Sequence, residues 1–270
     1  MNLAKWDRRI GRAEQLAAAL PFAAEVLKFY TRLTIIQKQI YTSLAGACIE
    51  DTSNGSSSLR HQDLRSDLLL PLFVQFLCGL EMITSEPLAR SANELKSQQW
   101  KWADVLFSCW DNPTDFEPTT DRVDDLLGWL FLRPYAECLA DQGKRMPGLG
   151  TSPFCPFCSG KPHVGVLRPE GDGGKRFLIC SVCSTEWAYG RILCPVCREE
   201  AVDKLAVYTA NQFSHVRVEA CDTCGYYIKT IDLTKNGLAV PVVDELATIP
   251  LNLWAHEQGY LNIQKNVLGI

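Results

Sequence analysis

The 270-residue sequence has no apolar run of the roughly 18 to 20 residues that a membrane-spanning helix requires. Its longest candidate, residues 68–83, is interrupted by Pro71 and carries Gln75 and Glu81, which marks a buried core helix. There is no surplus of positive charge either: 27 Lys and Arg stand against 31 Asp and Glu, a net of −4. That balance argues against a nucleic-acid binder working by broad electrostatic attraction. No Gly-rich phosphate loop follows a strand; GDGGK at 171–175 lacks the spacing and reads as a hairpin turn. No Ser/His/Asp constellation is discernible. Nothing in the residues points to an enzyme.

A secretion signal is also missing from the pattern. The apolar stretch at 16–24 follows Lys5, Arg8, Arg9 and Arg12, but Asp7 and Glu14 lie among those cations. Helical periodicity continues through Phe22, Val26, Leu27, Tyr30, Leu33 and Ile36. The expectation is the helical start of a cytoplasmic protein.

Cysteine is what the chain has in quantity. Of twelve, eight form four Cys-x-x-Cys pairs: Cys155/Cys158, Cys180/Cys183, Cys194/Cys197 and Cys221/Cys224. In a chain without a secretion signal, such clustering points to metal rather than disulfides. Cys48, Cys78, Cys109 and Cys138 stand alone among apolar residues in helical patterns and read as small buried hydrophobes.

The organisation is α+β. Residues 1–150 read as an all-helical domain, expected to be an antiparallel bundle. Helices are expected near 21–47, 64–83 and 88–110, with a polar linker at 51–58. A further helix starts near Val123. Thr119 or Thr120 can cap it, Asp121, Asp124 and Asp125 suit its positive end, and Val123, Leu126, Leu127, Leu130 and Phe131 form one apolar stripe. From Cys155 the pattern changes to short β-prone runs at 163–167, 176–179, 205–210, 215–220 and 226–233. Two four-cysteine ribbon modules, 151–191 and 192–236, are followed by a helical segment, 237–270, interrupted by Pro250.

Spacing groups the cysteines. Cys155-x2-Cys158-x21-Cys180-x2-Cys183 is followed by a near-copy, Cys194-x2-Cys197-x23-Cys221-x2-Cys224. In each copy a strand, turn and strand fold back, bringing the two knuckles together as four-thiolate ligation demands. Sequential pairing is therefore expected over crossed or nested pairing. Zinc and rubredoxin-type iron suit such sites equally. Eight cysteines complete both shells, so His163 and His215 are surplus and read as surface or strand residues. From Cys155 to Lys235, ten Lys and Arg less nine Asp and Glu give +1. Two divalent ions on eight thiolates add about −4, leaving the loaded module mildly acidic. A nucleic-acid-binding zinc ribbon normally needs a positive face.

Particular residues in this half resemble a known family. Thr185-Glu186-Trp187 follows the second knuckle, and Arg191 precedes the third by three residues. The run Glu219 to Tyr227 reads Glu-x-Cys-x-x-Cys-Gly-x-Tyr, and Glu257-Gln258-Gly259-Tyr260 comes late. Over residues 153–260 the sequence resembles the formate dehydrogenase accessory protein family, FdhE. The resemblance implies a cytoplasmic maturation factor without turnover of its own. It would bind the catalytic subunit of formate dehydrogenase and carry rubredoxin-like iron or zinc on all eight cysteines. A rubredoxin-type electron donor, with an exposed site near Trp187 or Tyr189, is the alternative. Family knuckles often place Gly after the second Cys. Here Ser159, Ser184 and Arg198 stand in three of those places, and only Cys224 is followed by Gly225. The short strands are expected to depend on metal while the helical half stands alone.

Overall fold

The computed structural model describes residues 2–47, 64–84, 86–111, 123–143, 152–171, 173–266 and 268–269. Cys48, the 51–58 linker, Asp172 and the capping residues Thr119, Thr120 and Asp121 lie outside the described residues.

Helix α1 (Leu3–Ala19) buries Trp6, Arg9, Arg12 and Ala13, so the N-terminal segment belongs to the core. Pro21 opens a 3-10 turn, and the chain reverses into α2 (Ala24–Ala47). Trp6 then meets Tyr41 with ring centroids 5.5 Å apart. Helix α3 (Ser66–Glu81) runs through Pro71 and buries Leu69, Phe73, Phe76, Leu77 and Leu80. The single helix expected at 88–110 is instead two, α4 (Glu86–Ser97) and α5 (Trp102–Asp111). The break lets Trp102 donate its indole N–H to the Leu95 carbonyl at 2.8 Å and set its ring edge-on to Phe73. Helix α6 (Val123–Gln142) is more than a stripe, because every residue from Leu127 to Cys138 is buried. A helix covered on all sides is the centre of a bundle.

Among the described residues seven strands follow: β1 (Pro162–Glu170), β2 (Gly173–Cys180), β3 (Glu186–Ala188), β4 (Leu205–Thr209), β5 (Val216–Cys221), β6 (Tyr226–Asp232) and β7 (Leu261–Asn262). The five expected runs are all strands; the short β3 and β7 carried no such pattern. The two cysteine modules do not lie as separate ribbons. They share one sheet of order β3-β2-β1-β6-β5-β4, with β7 added beside β6. The seam is a parallel pairing of β1 with β6, from Val164 opposite Lys229 to Leu167 opposite Asp232. One face of the sheet, including Val164, Val166, Val218 and Ile231, packs under α8 (Ile249–Glu257) through Leu251 and Ala255.

The other face joins the helices. Cys155, Cys158, Cys180, Cys183, Leu178 and Trp187 share a continuous apolar core with the bundle and with α7 (Pro241–Ala247). Ion pairs reinforce this junction. Arg9 on α1 lies 2.8 Å from Glu137 on α6, and Arg12 binds Asp244 on α7, which also receives His215 at 2.8 Å. The helical half and the sheet are thus joined by a shared core and by ion pairs.

Gly165 explains why the seam can close. A Cβ there would lie 2.3 Å from the Thr230 hydroxyl across the β1–β6 pair, closer than any real contact. Gly165→Ala is expected to cost about 1–3 kcal/mol by overpacking. Denaturant unfolding of the metal-loaded protein measures this; an unchanged midpoint would mean the seam has slack.

Candidate metal centres

Each knuckle is a tight turn, and in three of the four the first cysteine's carbonyl accepts a hydrogen bond from the residue after the second cysteine. Ser159 N–H donates to Cys155 O at 2.9 Å, Arg198 to Cys194 O at 3.1 Å and Gly225 to Cys221 O at 2.8 Å. Midway through the turn a backbone N–H points at sulfur: Phe157 to Cys155 Sγ, Val182 to Cys180 Sγ and Val196 to Cys194 Sγ, at 3.3–3.4 Å. To close the turn, the residue after the second cysteine takes a left-handed backbone. Its φ is +60° at Ser159, +55° at Ser184, +65° at Arg198 and +72° at Gly225. The departure from glycine at three knuckles leaves the geometry intact and adds strain instead.

The sulfurs fall into two groups, Cys155, Cys158, Cys180 and Cys183, and Cys194, Cys197, Cys221 and Cys224. Within each, all four lie within 4.8 Å of one another. Individual S···S separations are 3.3–3.6 Å in the first group and 3.6–3.7 Å in the second. Disulfides require about 2.05 Å. An ion about 2.3 Å from four thiolates at tetrahedral angles sets them roughly 3.8 Å apart, so both groups fit such an ion. The grouping is the sequential one.

The surroundings of the two groups differ. All four cysteines of the first are buried, and Cys183 Sγ lies 3.1 Å from the Thr185 hydroxyl. In the second, Cys194 and Cys221 are buried, Cys224 is half-buried and Cys197 is exposed. A buried charge network adjoins the first. Burial alone would raise the Glu137 carboxyl. The Arg9 and Lys5 cations, the Arg9 hydrogen bond and Arg133 override it and hold it down at about 2. Ser184, in the second knuckle, donates its hydroxyl to the same carboxylate at 2.8 Å. Arg133 is buried with Nε unpartnered and feels the charge of Cys180. A four-thiolate site loaded with a divalent ion carries −2, which suits this surplus of cations.

Neither histidine joins a cluster. His163 is buried in β1, and His215 serves Asp244. Trp187 and Tyr189 are packing residues: the indole donates to Ser152 O at 3.0 Å and the phenol to Cys194 O at 3.1 Å. Cys109 and Cys138 are buried as expected, whereas Cys78 is exposed, because its position on α3 faces outward. Sequence reasoning missed Arg133 and Glu137. Their signal was one cation and one anion four residues apart inside the otherwise apolar run of α6.

Two tests follow from this site. Ser159→Gly relieves left-handed strain of about 1 kcal/mol, partly offset by a more flexible unfolded chain, so its melting temperature should stay level or rise slightly. Ser184→Gly also removes the hydrogen bond to Glu137 and should lose about 1–3 kcal/mol; equal effects would deny that bond its role. The second test is pH. Burial, with Arg133 and Arg9 nearby, pushes His163 down to about 3. An unfolded histidine titrates near 6.5, so between about pH 6.5 and 3 the unfolded state binds a proton that the folded state refuses. Stability is full above that window and falls as pH drops through it. In His163→Gln that part of the acid loss should vanish, and a pH-independent difference from the parent would rule it out.

With both clusters placed, the chain can be set beside the known proteins it is similar to. Residues 154–191 match the model "FdhE, central domain" and residues 192–268 match "FdhE, C-terminal domain". A protein FdhE homolog of Aquifex aeolicus is 37% identical over 150 residues, 54% of this chain and 53% of that protein. This chain therefore spans about half the length of that relative. An FdhE homolog of Actinobacillus pleuropneumoniae serotype 3 is 29% identical over 94% of this chain and 85% of its own length. The crystal structure of the FdhE protein from Pseudomonas aeruginosa shares the fold, with a TM-score of 0.73 and 23% identity over 99% of this chain and 96% of that one. Residues 154–268 thus resemble the central and C-terminal domains of the FdhE family, and the fold as a whole resembles that of an FdhE protein.

Proposed function

We propose that the protein is a cytoplasmic accessory factor for formate dehydrogenase that holds the enzyme's catalytic subunit and turns over no small molecule. The observation that carries this reading is the pair of four-cysteine clusters lying within the two matched FdhE domains. Cys155, Cys158, Cys180 and Cys183 would ligate one iron or zinc ion; Cys194, Cys197, Cys221 and Cys224 would ligate the other. Four thiolates complete a tetrahedral shell and leave no open position for substrate, so what such an ion supplies is rigidity rather than Lewis-acid hydrolysis. Among the described residues no helix is long and apolar enough to cross a membrane, in keeping with a protein that meets its client in solution. The partial exposure of the second cluster supports a second reading, a rubredoxin-type electron donor, should that cluster hold iron.

The test begins with purification from the native host without oxygen. Two ions per chain are expected, and a visible spectrum separates ferric iron on four thiolates from zinc. A tagged protein should co-purify with the formate dehydrogenase catalytic subunit, and deleting the gene should lower that enzyme's activity. Full activity in the deletion strain, with no such subunit recovered, would end the proposal.

A further inference from the structure

The two clusters have the same ligand chemistry and unequal access. The sulfurs of Cys155, Cys158, Cys180 and Cys183 sit inside the core shared by the helices and the sheet. Reaching any of them requires opening that core. The second cluster lies outside that core, between the turn before β4 and the β5–β6 turn, with Cys197 exposed and Cys224 half-buried. A cavity of about 260 Å³ runs up to Cys194 and Cys221 from its inner side. Three arginines line this cavity, Arg176, Arg191 and Arg217, against one carboxylate, Glu219. Arg176 is committed to Glu219 at 2.7 Å and Arg217 to Asp232 at 2.9 Å, while Arg191 is exposed at the rim, with the Gly174 carbonyl at 3.4 Å.

We propose that the clusters divide the work: the first is a permanent staple, and the second is an exchange site whose ion is removed or delivered by a small anionic thiol. The inference rests on reading both clusters as metal sites. A four-thiolate ion exchanges ligands when an incoming soft donor binds it as one resident sulfur leaves. At the second cluster the resident sulfur that can leave is Cys197 Sγ, which faces solvent and can swing away without disturbing the core. The incoming thiolate forms one metal–sulfur bond, the Cys197 bond breaks, and the freed Cys197 thiolate takes a proton from water. No electron is transferred. The positive lining concentrates an anionic donor beside the cluster. At the first cluster the same step must wait for local unfolding.

The full-length protein loaded with zinc tests this. A chromogenic chelator follows metal release, driven by mercaptoacetate as the anionic thiol and cysteamine as the cationic one. One equivalent is expected to leave early and the other late. Mercaptoacetate should drive the early phase roughly ten-fold faster than cysteamine. Arg191→Glu should abolish that preference without changing the late phase. Among the eight cluster cysteines, iodoacetamide labelling read by mass spectrometry should mark Cys197 and Cys224 first and Cys155, Cys158, Cys180 and Cys183 last. Release of both equivalents at one rate, first labelling of the buried four, or equal rates with the two thiols would overturn the proposal and leave the metal reading standing. A chain that holds no zinc would sink the metal reading, and this inference with it.

Discussion

The carboxylate of Glu137, about 1% exposed in the C-terminal part of α6, is the contact on which the arrangement of the halves depends. A buried anion is tolerated only when cations and donors surround it, and removing its partners leaves an uncompensated charge worth several kcal/mol. Here those partners come from separate parts of the chain. Arg9 and Lys5 reach it from α1, and the Ser184 hydroxyl reaches it from a cysteine knuckle 47 residues downstream. Satisfying one side chain therefore positions the first cluster against the bundle. The left-handed serine, which a glycine would relieve, is retained where its hydroxyl completes that shell.

The same network sets the electrostatic character of the first cluster. Arg133 feels the charge of Cys180, Arg9, Lys5 and Arg133 act on Glu137, and burial beside Arg133 and Arg9 holds His163 neutral. Thiolates carrying net negative charge are stabilised there by long-range attraction that water does not screen. The second cluster has no comparable enclosure. Two copies of one spacing thus sit in different dielectric environments, and identical ligands acquire different properties from what surrounds them.

Much of this was legible in the residues. The five principal strands follow from β-branched and aromatic alternation, and the cysteine groups follow from near-duplicate spacings closed by hairpins. What was not legible has physical reasons. Parallel pairing of β1 with β6 joins segments about sixty residues apart and leaves no local periodicity to read. The break between α4 and α5 is driven by Trp102 packing on Phe73, a contact between distant elements. Arg9, Arg12 and Arg133 look like solvated charges in one dimension; only assembly reveals the carboxylates that bury them. Cys78 has apolar neighbours in sequence but lies on the outward side of α3.

The direction of the β1–β6 pairing carries a consequence of its own. Within each copy the strands alternate in direction, and the copies meet with the first strand of one beside the third strand of the other, both running the same way. That is a translational, head-to-tail contact rather than a two-fold one, and such contacts leave complementary free ends that can in principle propagate without closing. Propagation would need β3 to offer a new unit what β6 offers β1. It does not: β6 has seven residues and β3 only three. With Cys180 set over Cys221, Gly190 and Arg191 fall where Ile231 and Asp232 pair with β1, and they leave the sheet to begin the next knuckle. The ten-residue spacing between Cys183 and Cys194 is therefore also a chain terminator, which stops a fibre-like geometry at two units.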